Sequence, residues 1–397
     1  MSRFDRELAL GQDGQPIRIP GIRLVAWAGL ITGLAIYAFL ILNHLTYTEI
    51  DIVEASETKP TSLSNKTLPM QSSGYLPWSD DLQPNILIDP DFPIVKIKQK
   101  DELIENILVF GIEAHREGES ASFADSLFIL TIDRRNDCVK MSSILNDLPV
   151  GIQGRRHPER IVSAYALGGA GLLINTLNES LDLDVQRFFM FDFWRAGPLI
   201  DALGGVKMPV LDHQIRDINR MIAEQTGRKW LSASERVVEP GLQRLNGHQA
   251  IAWARILNQN SDQERIRTSR QQKIVGQLLL NGSKSSLSNM MIMIQKGGDA
   301  FESNLPLPEL LQFGLGLIST SNKVYRYEVP AAGLYEIEGE YEAGEPENLT
   351  IDWDVQIDAL ADFIWEEPTG EPFDIDAEVE DDDSEEDEKA EANSRQG

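Results

Sequence analysis

Between Leu24 and Leu42 the chain reads LVAWAGLITGLAIYAFLIL, nineteen residues without a charged side chain. At about 1.5 Å per helical residue this stretch matches a hydrocarbon core about 30 Å thick, which predicts one membrane-spanning helix near the N-terminus. Downstream the apolar residues regroup into shorter runs. Leu103 to Ile112, Ser126 to Asp133 (SLFILTID) and Cys138 to Leu145 (CVKMSSIL) read as three buried strands, with DRRND as the turn between the last two. Helical spacing follows from Ala166 to Leu181. Then come an aromatic strand, Val185 to Phe193, a short helix, Gly197 to Leu203, and a strand, Val206 to Val210. The polar stretch from Gln214 to Gly227 predicts no element. Asn246 to Ile256 and Asp262 to Leu280 read as helices, the second apolar at Ile266, Ile274, Val275 and Leu278. A helix over Leu307 to Leu317, an alternating strand over Val324 to Val329 and a last short helix over Asp358 to Trp365 complete the pattern. Such alternation indicates an α/β (α+β layered) fold, a central mixed β-sheet flanked by helices.

Charge refines the organisation. Arg3, Arg6, Arg18 and Arg23 precede the apolar segment, whereas Glu49, Asp51, Glu54 and Glu57 follow it with only Lys59 nearby. That bias places residues 1–23 in the cytoplasm, 24–42 across the membrane and the body outside the cell. Residues 43–100, rich in Ser, Thr, Pro and Asn over their middle, read as an extracytoplasmic linker, 101–365 as the folded domain and 366–397 as a disordered acidic tail. From Glu366 onward fifteen acidic residues face two basic ones, and the whole chain carries a formal charge of -27, so nucleic acid is excluded as a partner. Cys138 is the single cysteine, which rules out an intramolecular disulfide and any cysteine-rich metal site. Gly29 and Gly33 form a GxxxG spacing in the apolar helix, the weak signature of a homodimer.

Candidate chemistry concentrates late in the chain. Arg255, Arg265, Arg267 and Arg270 cluster before Gln271 and Gln272, and Arg267 and Arg270, three apart on a helix, would share a face. Two adjacent guanidinium forks suit a phosphate clamp, and a solvated basic face is the plain alternative. Asp125 precedes one buried strand and Asp147 follows another. Carboxylates at strand ends can meet and hold Mg²⁺ against a diphosphate, although polar strand ends are also routine. The chain contains no HExxH, GxSxG, P-loop or GxGxxG, and its five histidines lack metal-ligand spacing.

Several segments taken together are specific. NILVFGI at Asn106, ADSLFILTID at Ala124, SSILND at Ser142, RIVSAYALGG at Arg160, LIDALGGVKMPV at Leu199, LNGHQAIAWAR at Leu245 and RTSRQQ at Arg267 resemble, in order and spacing, the catalytic domain of the LytR-CpsA-Psr family of bacterial cell-envelope enzymes. The resemblance implies a membrane-anchored enzyme that moves a glycopolymer from a polyprenyl diphosphate carrier to a cell-wall or surface acceptor. It implies a diphosphate held by arginines and Mg²⁺, and a lipid tail in an apolar cavity between sheet and helices. Carried over by position, Asp125 and Asp147 are the magnesium carboxylates, Asp125, Arg255, Glu264, Arg267 and Arg270 the catalytic set, and Arg160 and Gln271 the substrate-side residues. The chain departs from the family pattern at Phe123, Asn146 and Leu257, where arginines are usual, at Glu113 and Glu264, which replace Asp, and at Ile266, which replaces Gly. Fewer guanidinium groups mean less stabilisation of developing charge. A second expectation follows, a non-catalytic relative that binds a polyprenyl-linked glycan or scaffolds envelope assembly.

Overall fold

The computed structural model describes residues 46–54, 92–112, 124–155, 157–192, 195–228, 230–232, 235–256, 263–284, 300–320, 323–337 and 349–374. The chain divides into two compact units, Met1–His44 and Leu45–Gly397, and every described residue belongs to the second. The apolar segment 24–42, with Glu113, Phe123 and Leu257, lies outside the described residues. Among the described residues no helix is long and apolar enough to cross a membrane.

Among the described residues seven strands make the central sheet: β1 (Thr46–Tyr47), β2 (Ile104–Ile112), β3 (Ala124–Asp133), β4 (Cys138–Ile144), β5 (Arg187–Asp192), β6 (Phe301–Ser303) and β7 (Val324–Val329). Their order is β1-β6-β5-β2-β3-β4-β7. The pairs β2–β3, β3–β4 and β5–β6 are antiparallel and β2–β5, β4–β7 and β1–β6 parallel, so the sheet is mixed. Among the described residues seven α-helices accompany it: α1 (Ser163–Leu181), α2 (Gly197–Ala202), α3 (Ile215–Thr226), α4 (Gly247–Arg255), α5 (Gln263–Ser283), α6 (Leu307–Ser319) and α7 (Trp353–Trp365).

Both faces of the sheet are covered, which explains why β3 is apolar almost throughout rather than alternating. Leu108, Phe110, Leu127 and Ile129 turn toward Leu173 of α1 and Leu360 of α7. Ile107, Phe128, Leu130 and Met141 turn the other way, toward α5 and α6. A third cluster gathers α2, α3 and α4 around the antiparallel pair Val206–Val210 and Gly241–Leu245. There α2 and α4 meet backbone to backbone, because a Cβ on Gly247 would lie 2.1 Å from the Gly197 carbonyl oxygen.

The structure departs from the sequence pattern in a few places. Ile215–Thr226 is helical, but it buries only Ile218 and Ile222, so polar residues hide its period. α1 carries non-helical angles at Gly168 and Gly169, the latter with φ of 62°, and its regular part begins after that pair. The folded body also exceeds the limits of 101 and 365. β1 joins the sheet edge, and Ile94 is fully buried in a strand paired with Ile52–Val53. At the other end Phe373 donates its N–H to the Val324 carbonyl at 2.6 Å and packs into the core beside Gly276. Single apolar residues in polar surroundings are enough to pin these segments, and composition averages them away. The remaining parts of the linker, 43–45 and 55–91, and of the acidic tail, 375–397, lie outside the described residues.

An ion pair lies within the buried layer. Lys140 and Asp133 pair at 2.7 Å with both side chains fully buried. The Lys140 ammonium also donates to the Ile364 and Glu366 carbonyls at 3.0 and 2.6 Å, at the end of α7 where cations are favoured. Burial pushes the Asp133 carboxyl up, but hydrogen bonds from Lys140 and Asn136 outweigh it and hold the group below the usual value of 3.8.

Lys140→Met strands a buried carboxylate and is expected to lower stability by about 3 to 5 kcal/mol in urea unfolding. Because the folded carboxyl titrates below 3.8, its contribution is complete above that pH and disappears as pH falls through the folded value. Asp133→Asn should flatten the acid limb of the stability profile there. Gly247→Ala forces α2 and α4 apart and should cost about 1 to 3 kcal/mol, read from the same unfolding curves.

Candidate functional site

The site begins with an irregularity in β3. Gly111 of β2 pairs with Ser126, but Ile112 pairs with Ala124, leaving Asp125 as an extra residue in a β-bulge. In a regular strand Asp125 and Ser126 would point to opposite faces. The bulge re-aims one of them, and the two side chains serve a common site on the α5 side of the sheet.

From α5, Arg267 Nη2 reaches Asp125 Oδ1 at 2.7 Å. Arg255, in the last turn of α4, places Nη1 4.0 Å from Asp125 Oδ2. Asn146, which follows β4, points its Nδ2 at Asp125 Oδ1 over 3.4 Å. Thus Arg255 and Arg267, from a segment more than a hundred residues beyond Asp125 in the chain, converge on its carboxylate. Asp147, one residue beyond Asn146, faces the Arg160 guanidinium at 3.4 Å. Glu264 lies in the first turn of α5, but its side chain is outside the described residues.

Local sequence explains these placements. Asn246 accepts the Gln249 N–H and Gln249 accepts the Asn246 N–H, both at 3.0 Å, so the LNGHQ segment is a capping box that starts α4. The Gly247 N–H donates to Asp201 Oδ1 at 2.8 Å, and α4 then carries Arg255 to the site. Arg270 does different work from Arg267. It is buried, donates Nη1 to the Ile256 carbonyl at 2.8 Å and lies 5.5 Å over the Trp253 ring, bracing the end of α4. Gln272 bonds the Ser143 hydroxyl and, at 2.9 Å, Glu328, which ties α5 to β4 and β7.

Behind the charged cluster lies an apolar cavity of about 340 Å³ between the sheet and α5 and α6. Phe128 and Leu130 of β3, Ile274 and Leu278 of α5, and Leu310 and Phe313 of α6 form much of its wall. Its few polar lining residues include Ser126 and Gln271. Ser126 neighbours Asp125, and Gln271 stands one helical turn after Arg267, so the charged cluster adjoins that part of the cavity. Sequence reasoning missed Ser126, Trp253 and the bracing role of Gln272. A serine within a strand and an indole within an apolar helix carry no outward signal of a site. Among the described residues no three His, Cys, Asp or Glu side chains gather in a metal-binding group.

The LytR_cpsA_psr family profile matches residues 82–352. The chain is similar to the polyisoprenyl-teichoic acid–peptidoglycan teichoic acid transferase TagU of Halalkalibacterium halodurans, with 26% identity over 229 residues, 57% of this chain and 70% of that protein. It is similar to TagV of Bacillus subtilis, with 26% identity over 237 residues, which span 58% of this chain and 57% of the relative. The crystal structure of B. subtilis TagV superposes with a TM-score of 0.51 at 22% identity, covering 68% of this chain and all of that one, so the fold is shared. With the family profile spanning well over half of its length and a mixed sheet of the same fold, the chain belongs to the LytR_cpsA_psr family.

Proposed function

We propose that this protein transfers a glycopolymer or sugar-phosphate from a polyprenyl diphosphate carrier to a cell-wall or surface acceptor. The observation that carries this reading is a junction: an apolar cavity whose polar lining adjoins the cluster of Asp125, Arg255 and Arg267. A molecule with a hydrocarbon chain on one side and a doubly ionised linkage on the other fits both surfaces at once. The names of TagU and TagV, transferases of a polyisoprenyl-linked polymer, point the same way.

In this mechanism the tail fills the cavity and the diphosphate lies against Arg267 and Arg255, with Arg160 and Gln271 on its flanks. Arg270 acts through α4, holding Arg255 in place. An acceptor hydroxyl oxygen attacks the phosphorus that bears the glycan. The bond from that phosphorus to the bridging oxygen breaks, and polyprenyl phosphate leaves. Asp125 orients the hydroxyl and takes its proton. Asp125 and Asp147 are oxygen donors of the kind that would hold Mg²⁺ alongside water and diphosphate oxygens, and the ion would neutralise charge on the linkage. Residues 24–42 anchor the body outside the cell, a reading supported by the uncharged segment and the arginines before it.

One observation favours a second reading. Asn146 puts a neutral amide against Asp125 where the family resemblance leads one to expect an arginine, which weakens charge stabilisation and suits a binding protein without turnover.

The deciding experiment incubates the full chain with a polyprenyl diphosphate sugar, an acceptor glycan and Mg²⁺, and measures released polyprenyl phosphate. Release is expected, and Arg267→Ala should slow it about 100- to 1,000-fold by removing one charge-stabilising group. Tight lipid binding with no release would establish the second reading instead.

A further inference from the structure

Two buried polar atoms at the cavity lack a hydrogen-bond partner among the described residues, Ser126 Oγ and Gln271 Nε2. Their residues are only 2% and 4% exposed, so bulk water does not satisfy them. An unpaired donor in apolar surroundings is a standing cost that folding alone gives no reason to keep. Replacing Ser126 by alanine would remove that cost at once. The bulge sharpens the point, because it re-aims Asp125 toward the face that Ser126 already shares with Phe128 and Leu130.

We infer that Ser126 is a lipid-phosphate-binding residue: its hydroxyl donates to an oxygen of the phosphate that carries the prenyl chain. The Gln271 amide donates beside it, and Arg255 and Arg267 take the phosphate that carries the glycan. This assignment rests on the carrier-binding reading above and divides the site by chemistry. Neutral donors read the phosphate nearest the hydrocarbon, where an unpaired cation would be costly to bury, and guanidinium groups take the one nearer solvent. A consequence is that Ser126 holds the leaving polyprenyl phosphate as well as the substrate.

The test uses the full chain in detergent with geranylgeranyl monophosphate and geranylgeraniol as probes, which share a tail and differ only in the phosphate. Affinities come from displacement of an environment-sensitive apolar dye, and thermal midpoints are recorded in parallel without probe. Ser126→Ala is expected to bind the monophosphate about 10-fold or more weakly, as befits a lost hydrogen bond to an anion, and the alcohol within 2-fold of the unaltered protein. Its thermal midpoint should be unchanged or higher, which a structural serine would not give. Ser126→Thr, retaining the hydroxyl, should restore monophosphate binding. Equal changes for the two probes, no change for either, or a lowered midpoint would overturn the assignment while leaving the carrier-binding reading intact. Failure of the unaltered protein to bind the monophosphate would remove both.

Discussion

The ion pair between Arg267 and Asp125, 2.7 Å long and largely withdrawn from water, is the constraint around which the rest of the body is arranged. A charge beside an apolar cavity persists only when it is paired, since an isolated one would carry a desolvation penalty of several kcal/mol. Asp125 meets this condition with Arg267 at contact distance, Arg255 close by and the Asn146 amide on the same oxygen as Arg267. The pair is therefore held without ligand, yet the Arg267 guanidinium could exchange the carboxylate for a phosphate, leaving Asp125 to accept a proton or a cation.

Geometry reaches this point from three directions. The bulge in β3 supplies the carboxylate, the capped helix α4 supplies Arg255, and α5 supplies both Arg267 and much of the cavity wall. α5 is the element that joins charge to grease. It starts among the arginines, passes Gln271 at the boundary and continues as Ile274 and Leu278 along the cavity. Gln272 fixes it to the sheet, and Arg270 fixes it to α4. The opposite face, covered by α1 and α7 and crossed by the Lys140–Asp133 pair, contributes rigidity rather than chemistry.

Much of this was legible in the sequence for a physical reason. Buried strands such as Cys138–Ile144 and the long helix α5 impose patterns that survive in a single chain, and their limits fall within a few residues of those the pattern predicts. α3 was hidden because just two of its residues are buried, and β1 and β6 because two or three residues establish no period. For the site, the residue types and their clustering pointed to Asp125, Arg255 and Arg267, which the fold brings together. The sequence could not separate Arg267 from Arg270. Both lie on α5 three residues apart, and their different roles arise from what stands opposite, Asp125 for one and the Ile256 carbonyl with Trp253 for the other. Ser126 was invisible because a serine that alternates in step with Phe128 and Leu130 reads as one more strand position, and only the cavity beside it gives its hydroxyl a role.

The most direct measurement of the central claim is photolabelling of the full chain with a polyprenyl diphosphate that carries a photoreactive group in its tail, followed by mass-spectrometric mapping of the modified residues. If one molecule bridges the charged cluster and the cavity, label is expected on cavity-wall residues such as Phe128, Ile274, Leu278 and Leu310, and Arg267→Ala should reduce it. Label confined to other surfaces, or label in the cavity that is indifferent to Arg267, would contradict the account.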